Sequence, residues 1–308
     1  MTKKIIITGA TGLIGSELTK ALVARNYEVT VFTRNADKAR TNVPSASGYL
    51  EWNYRNPGQW QDQLEDSYAV IHLAGANLAG KRFTESYKKK IWDSRITSTQ
   101  NIVKAISGLH KGPEVFLCAS GINYYGDSND KELNEDLPPG NDFLAELCRE
   151  WENEAAKAEE AGVRSVSLRT SPVLSLKDGM LKKLYPLFKL YLGASLGSGK
   201  QWFSWIHVDD IIGAYIYALE NDNISGPVNA TAPRPVIMDE FAKQFGQSLN
   251  RPVFLRVPLF LLKAILGEAG DSIMASLRVI PEKLESSGYK FNFNTLNNAL
   301  NDIVRNKK

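Results

Sequence analysis

The sequence predicts an α/β chain built on a doubly wound parallel sheet, followed by a smaller, mainly helical region. Three observations carry that reading. Short, β-rich apolar runs recur through the first half without polar alternation, as strands buried on both faces do. Stretches with helical spacing lie between most of them. Beyond Thr170 the alternation loosens, so residues 1–170 form the sheet domain, with segments of about 203–230 returning to it, and 171–308 the second region.

Taken in order, strands are predicted at Lys4–Thr8, Glu28–Thr33, Tyr49–Trp52, Ala69–Leu73, Glu114–Ala119 and Arg164–Leu168. Leu13, Leu18, Leu22 and Val23 repeat at helical intervals after the first strand, and Ile91, Ile96, Ile102, Val103 and Ile106 do so later. Phe143–Glu160 is rich in Ala, Glu and Leu, with Asn141 or Asp142 as its cap. Further on, Gly193, Gly197 and Gly199 mark a loop before a strand at Trp202–Ile206. Asp209 or Asp210 caps a helix at Ile211–Glu220, and a strand is expected near Val228–Ala230. Helices near Met238–Gly246, Pro258–Leu266 and Leu296–Val304 complete the chain.

Composition narrows the function classes. The 308 residues carry 37 Lys+Arg against 34 Asp+Glu, a net charge of +3, which argues against a dedicated nucleic-acid binder. No apolar run approaches the ~18 residues of a membrane span, and the opening run ends too early for a signal peptide, so a cytoplasmic chain is expected. Cys118 and Cys148 form no CxxC pair, and His72, His110 and His207 are scattered, so no metal site is expected. Lys88-Lys89-Lys90 reads as a solvated face.

The strongest motif is Lys4-Ile5-Ile6-Ile7-Thr8-Gly9-Ala10-Thr11-Gly12-Leu13-Ile14-Gly15, a buried strand entering a glycine turn that opens a helix. Gly9 permits the tight turn, Gly12 lets a pyrophosphate approach the backbone, and Gly15 lets helix and strand pack closely. Thr11, Leu13 and Ile14 complete the turn, whose N–H groups and positive dipole end suit phosphate. This is a Rossmann-type dinucleotide site. At the end of the second strand, where an acid would hold a ribose 2′-OH, stands Arg34, and no acid occurs from Val29 to Asn35. A guanidinium there grips a 2′-phosphate, so NADP(H) is expected over NAD(H).

With these residues the chain resembles the extended short-chain dehydrogenase/reductase superfamily of NAD-dependent epimerases and dehydratases. Leu73-Ala74-Gly75, Ala119-Ser120, Leu168-Arg169-Thr170-Ser171-Pro172 and Trp205-Ile206-His207-Val208-Asp209-Asp210 carry that resemblance. It implies that Leu73, Ala74 and Gly75 line adenine and ribose, that Ser120 borders the cofactor, and that Arg169 and Pro172 lie where the chain passes the nicotinamide. A closer similarity is to an atypical branch called epimerase family proteins. It rests on Asp93-Ser94-Arg95-Ile96, Tyr124-Tyr125-Gly126, Phe143–Cys148, Gly197–His207, Pro227–Pro233 and, in a C-terminal extension, Leu266-Gly267-Glu268. The resemblance makes residues 171–308 the substrate side plus that extension.

Redox members of the superfamily use a Tyr and a Lys four residues later on one helix face, the phenol moving a proton and the ammonium tuning it and holding the ribose. Here Phe143 and Leu147 take those places by position, so the usual pair is missing. Ser120, Tyr125 and Glu146 are the replacement candidates, as carbonyl polariser, mobile phenol and raised-pKa carboxyl; Cys148 reads as an apolar filler. Gln201, Trp202, Trp205 and His207 form a polar-aromatic cluster that suits either a flat polar ligand or a packed core. The expected function is an NADP(H)-dependent epimerase-like oxidoreductase on a small polar, nucleotide-sugar-like substrate. A non-catalytic NADP(H)-binding sensor or scaffold is the alternative, and the only macromolecular partner foreseen is a second copy in a homodimer.

Overall fold

A computed structural model describes residues 2–56, 58–78, 81–267, 270 and 274–307. Seven strands, β1 (Lys4–Thr8), β2 (Glu28–Thr33), β3 (Gly48–Glu51), β4 (Ala69–His72), β5 (Val115–Gly121), β6 (Arg164–Thr170) and β7 (Gly226–Ala230), form one parallel sheet. Their order is β7-β6-β5-β4-β1-β2-β3. The direction of winding reverses between β1 and β4, which opens a crevice beyond their carboxyl ends, the place where such sheets take ligands.

The α-helices among the described residues are α1 (Leu13–Val23), α2 (Ala36–Asn42), α3 (Glu85–Asp93), α4 (Ile96–Ser107), α5 (Phe143–Ala156), α6 (Met180–Lys189), α7 (Val208–Glu220), α8 (Met238–Ser248), α9 (Leu259–Leu266), α10 (Glu282–Ser286) and α11 (Leu296–Asn306). Ile5 and Ile7 pack into one core with Leu18, Leu22, Ile211 and Tyr215 from α1 and α7. Ile6 turns the other way, into a core with Phe116, Ile91, Ile102 and Leu144 from β5, α3, α4 and α5. Burial of both faces explains the unbroken apolar runs: each wholly buried Ile or Leu contributes about 1.5–3 kcal/mol on either side. A third core joins Phe188 of α6, Phe241 and Phe245 of α8, and Leu300 of α11.

Several boundaries differ from the sequence reading for local reasons. The region expected as one helical stretch around Ile91–Ile106 breaks at Ser94-Arg95 into α3 and α4. Asp142 caps α5, accepting from the amides of Leu144 and Ala145 at 2.9 and 3.0 Å, and a 3₁₀ turn Lys157–Ala161 follows the helix. The expected strand Trp202–Ile206 is two short strands, Trp202–Phe203 and Ile206–His207, which pair with Val236–Ile237 and Val173–Leu174. The cap of α7 is His207 instead of Asp209 or Asp210: its Nδ1 accepts from the Asp209 amide at 3.0 Å. Asp210 instead accepts the amides of Asn292 and Phe293 at 2.7 and 3.0 Å and ties the segment ahead of α11 to α7. Glu268 of the Leu266-Gly267-Glu268 motif lies outside the described residues. No helix among the described residues is long and apolar enough to cross a membrane.

Candidate active site

The β1–α1 turn uses its three glycines differently. Gly9 has φ +72°, and a Cβ on it would lie 2.6 Å from the Leu73 carbonyl carbon. At Gly15 a Cβ would lie 2.5 Å from Ala10 Cα. These two positions are glycine because the protein's own backbone leaves no room. Gly12 is not crowded: a Cβ there meets only Gly9 O, at 3.5 Å, and its φ of −83° suits any residue. Something that lies against Gly12 from outside is the remaining reason for a glycine. Thr11 and Gly12 are exposed, no side chain caps α1, and its first turn carries no acid. The amides of Leu13 and Ile14 at a positive helix end therefore form an anion cradle that a Cβ on Gly12 would fill. Gly12→Val is accordingly expected to leave the melting temperature near wild type while reducing dinucleotide affinity more than tenfold, measured by calorimetry.

Beside this turn, Thr8 pairs in register with Phe32, so Arg34 stands two residues beyond, level with the start of the turn. Its side chain is exposed and has no hydrogen bond or ion pair among the described residues. Neighbouring Asn35 caps α2 through a 2.8 Å bond from the Lys38 amide. Arg34 is thus a free guanidinium on a fixed strand end, and the donor set fits a 2′-phosphorylated dinucleotide.

The opposite wall is pinned by β4. The Leu73 amide donates to Thr8 O at 3.1 Å and the Ala74 amide to Thr8 Oγ1 at 3.3 Å. Thr8 Oγ1 lies 2.6 Å from His72 Nδ1, and His72 Nε2 lies 2.9 Å from Ser98 Oγ. Ser98 Oγ donates its own proton to the Ser94 carbonyl at 2.8 Å, so it accepts from the His72 Nε2–H, and the Thr8 hydroxyl donates to the bare Nδ1. Burial, with Arg95 nearby, holds His72 neutral and pushes its pKa down to about 3. The Ala76 amide donates to Ser94 Oγ at 2.9 Å, so the α3–α4 break clamps the Leu73–Ala76 loop from the far side.

A second polar row crosses β5, β6 and β7, where Ser120 pairs with Arg169 and Arg169 with Asn229. Arg169 donates to both oxygens of Glu152 at 2.9 and 2.8 Å, to Tyr125 OH at 2.9 Å and to the Glu135 carbonyl at 3.3 Å. Burial opposes its charge, yet the Glu152 carboxylate outweighs this and raises its pKa. All its outer nitrogens are engaged inside the protein, so the expected cofactor contact by its guanidinium gives way to a buried ion pair. Tyr125 is 3% exposed, donates to Asn229 Oδ1 at 2.8 Å, and burial pushes its pKa up to about 12. It is an anchored phenol instead of a mobile one. Glu146 is exposed on α5, away from the crevice chemistry expected of it, and the carboxyl that reaches Ser120 is Glu152, 2.6 Å from Ser120 Oγ.

The helix register also shifts the reading of the missing pair. Leu147 is buried in the core of α4 and α5, and half-buried Phe143 meets Phe83 with ring centroids 6.0 Å apart. The side chain that reaches the end of β5 is Cys148: a Cβ on Gly121 would lie 3.7 Å from its sulfur. Burial pushes its thiol up to about 12, as an inert filler requires. Sequence reasoning missed Glu152 and Arg95. Glu152 follows Cys148 by four residues, hence on one helix face, a spacing that could have found it; Arg95 was visible only as part of a motif.

The aromatic cluster on the second region is a clasp and a core. Trp205 is wholly buried, its Nε1 donating to Arg234 O at 3.1 Å. His207 is equally buried, lies against the tilted ring of Phe293 with centroids 3.9 Å apart and sets Nε2 3.3 Å from Asp302 Oδ2. Neither is open to a substrate, which corrects their assignment. Ligand atoms of His207, Asp209 and Asp302 lie within 4.8 Å of one another, a proximity that the cap of α7 and its clasp to α11 account for. Gln201 is also buried, donating to Leu196 O at 2.9 Å. Trp202 alone is half-exposed; its Nε1 donates to Asp130 Oδ1 at 2.6 Å and Arg278 lies over its ring. Half-buried Pro172 accepts the Ile206 amide at 3.1 Å.

The NAD dependent epimerase/dehydratase family matches this chain over residues 5–230, the sheet and the row of side chains just described. The chain belongs to that family. Beyond that match, a domain of unknown function, DUF1731, matches residues 257–303. Epimerase family protein ML0860 of Mycobacterium leprae is 37% identical over 297 residues, 96% of this chain and 94% of that protein. The chloroplastic SDR39U1 homolog of Arabidopsis thaliana is 38% identical over 98% of this chain and 86% of its own length. Human epimerase family protein SDR39U1, solved with NADPH, superposes with a TM-score of 0.85 at 31% identity, covering 98% of this chain and 99% of that one.

Proposed function

We propose that this epimerase-family chain binds NADP(H) and uses it on a small polar substrate. The observation that carries the coenzyme choice is the unpaired Arg34 beside an uncapped, glycine-lined helix start, with no acid on the strand end between them. The NADPH found with the human relative supports it. The amides of Leu13 and Ile14 would hold the pyrophosphate and Arg34 the 2′-phosphate. When bound, the nicotinamide supplies hydride chemistry.

The chain's own contribution is a proton route that does not need the Tyr–Lys pair. Ser120 donates to Glu152, which leaves the Ser120 oxygen lone pairs able to accept a proton from a substrate hydroxyl as its own proton passes to the carboxylate. Arg169 holds that carboxylate in place through two hydrogen bonds. α5 contains neither Tyr nor Lys, which is the observation that favours the second reading, a non-catalytic NADP(H) sensor or scaffold.

Titration with NADPH and NADH tests the coenzyme choice. NADPH is expected to bind more tightly, and Arg34→Ala to weaken it about 10- to 100-fold while sparing NADH, as loss of a charge-assisted contact predicts. Equal affinity for the two coenzymes in the wild type would overturn this reading. For the chemistry, NADPH oxidation with a panel of carbonyls and nucleotide sugars is expected in the wild type and is lost in Ser120→Ala with NADPH affinity retained. Silence across the panel with tight coenzyme binding supports the sensor.

A further inference from the structure

Two arginines lie buried near the carboxyl ends of the central strands, and the protein treats them differently. Arg169 is 2% exposed and carries a bidentate carboxylate. Arg95, at the start of α4, is 9% exposed and has no carboxylate partner among the described residues. Its one side-chain hydrogen bond there is a 3.4 Å contact to Ile91 O, and its guanidinium lies 5.1 Å from the Trp151 ring centroid. The residue is nearly buried, yet its unused nitrogens are not sealed from solvent, so a partner from outside the chain can reach them.

Its position says where that partner would sit. A Cβ on exposed Gly75 would lie 2.9 Å from Arg95 Cζ, so the guanidinium lies directly beneath the loop that follows β4. On its other side the guanidinium faces the Trp151 ring of α5, three residues after Cys148, whose sulfur reaches the end of β5 at Gly121. The cation therefore stands between the ends of β4 and β5, on the far side of the crevice from Arg34, which follows β2. Burial also pulls its pKa down to about 10, which leaves it charged at neutral pH.

We infer that Arg95 is a coenzyme-binding residue that holds the oxygen-rich nicotinamide-side half of NADP(H), where Tyr–Lys enzymes place a lysine. The assignment rests on the NADP(H) reading above. A planar guanidinium offers paired donors to a ribose diol or a phosphate edge from a single place, and packing beneath Gly75 and near Trp151 holds its stem.

Calorimetry on the full chain with two ligands, NADPH and adenosine 2′,5′-bisphosphate, tests it. Arg95→Met is expected to weaken NADPH at least about tenfold and to leave the bisphosphate unchanged, because that fragment lacks the nicotinamide half. Arg34→Ala weakens both. The melting temperature of ligand-free Arg95→Met stays equal or rises, since a nearly buried charge without a carboxylate partner among the described residues has been replaced by an apolar chain of similar length. Arg95→Lys recovers part of the NADPH affinity. Unchanged NADPH affinity in Arg95→Met, equal loss of both ligands, or a clear fall in melting temperature would each overturn the inference and make Arg95 structural. A wild type that binds neither ligand would overturn the NADP(H) reading itself and this inference with it.

Discussion

Replacing Arg169 with Ala is expected to destabilise the fold by about 3–5 kcal/mol, the usual result of stranding one member of a buried ion pair. The loss extends beyond Glu152. Tyr125 OH and the Glu135 carbonyl lose a donor as well, and the ring of Tyr124, 3.4 Å from the Arg169 guanidinium carbon, loses its cation. Urea unfolding of Arg169→Ala reads this directly. The double variant Arg169→Met with Glu152→Leu should regain most of the stability, because it removes both charges and keeps the volume. If the single variant unfolds within about 1 kcal/mol of wild type, the row Ser120–Arg169–Asn229 is not the buried framework described above.

The second large effect is pH dependence from His72. The unfolded imidazole takes up a proton as pH falls through about 6.5, whereas the folded one stays neutral down to about 3 because it is buried beside Arg95. Folded-state pKa is depressed, so the unfolded state binds more protons throughout that window. Its contribution to stability is full above pH 6.5 and lost progressively as pH falls toward 3, on the order of 5 kcal/mol over the whole range. His72→Gln, which cannot titrate, should give an unfolding free energy whose slope between pH 6.5 and 4 is shallower than that of wild type. Parallel slopes would mean that His72 titrates normally in the fold.

Legibility in the sequence followed the range of the interactions. The sheet was readable because Ile5, Ile6 and Ile7 are all buried, on alternating faces, and a short β-branched run without a polar break is what a strand covered on both sides requires. The phosphate turn was readable because its glycines follow the first strand directly; the crowding at Gly15, against Ala10, is local, whereas that at Gly9 comes from Leu73, far along the chain. Side chains whose roles depend on partners far along the chain were not. His207 looked like a ligand residue until Asp302, from the C-terminal helix, stood beside it. Tyr125 looked mobile until Asn229 and Arg169 held its hydroxyl. Glu146 and Glu152 differ by less than two helical turns, and only the packing of α5 decides which of them faces Ser120.

The most direct test of the central claim is a crystal structure of the chain grown with NADPH. The account predicts the pyrophosphate against Gly12, on the amides of Leu13 and Ile14, with the 2′-phosphate on the Arg34 guanidinium. A coenzyme bound elsewhere, or one in the turn whose 2′-phosphate points away from Arg34 into solvent, would contradict it.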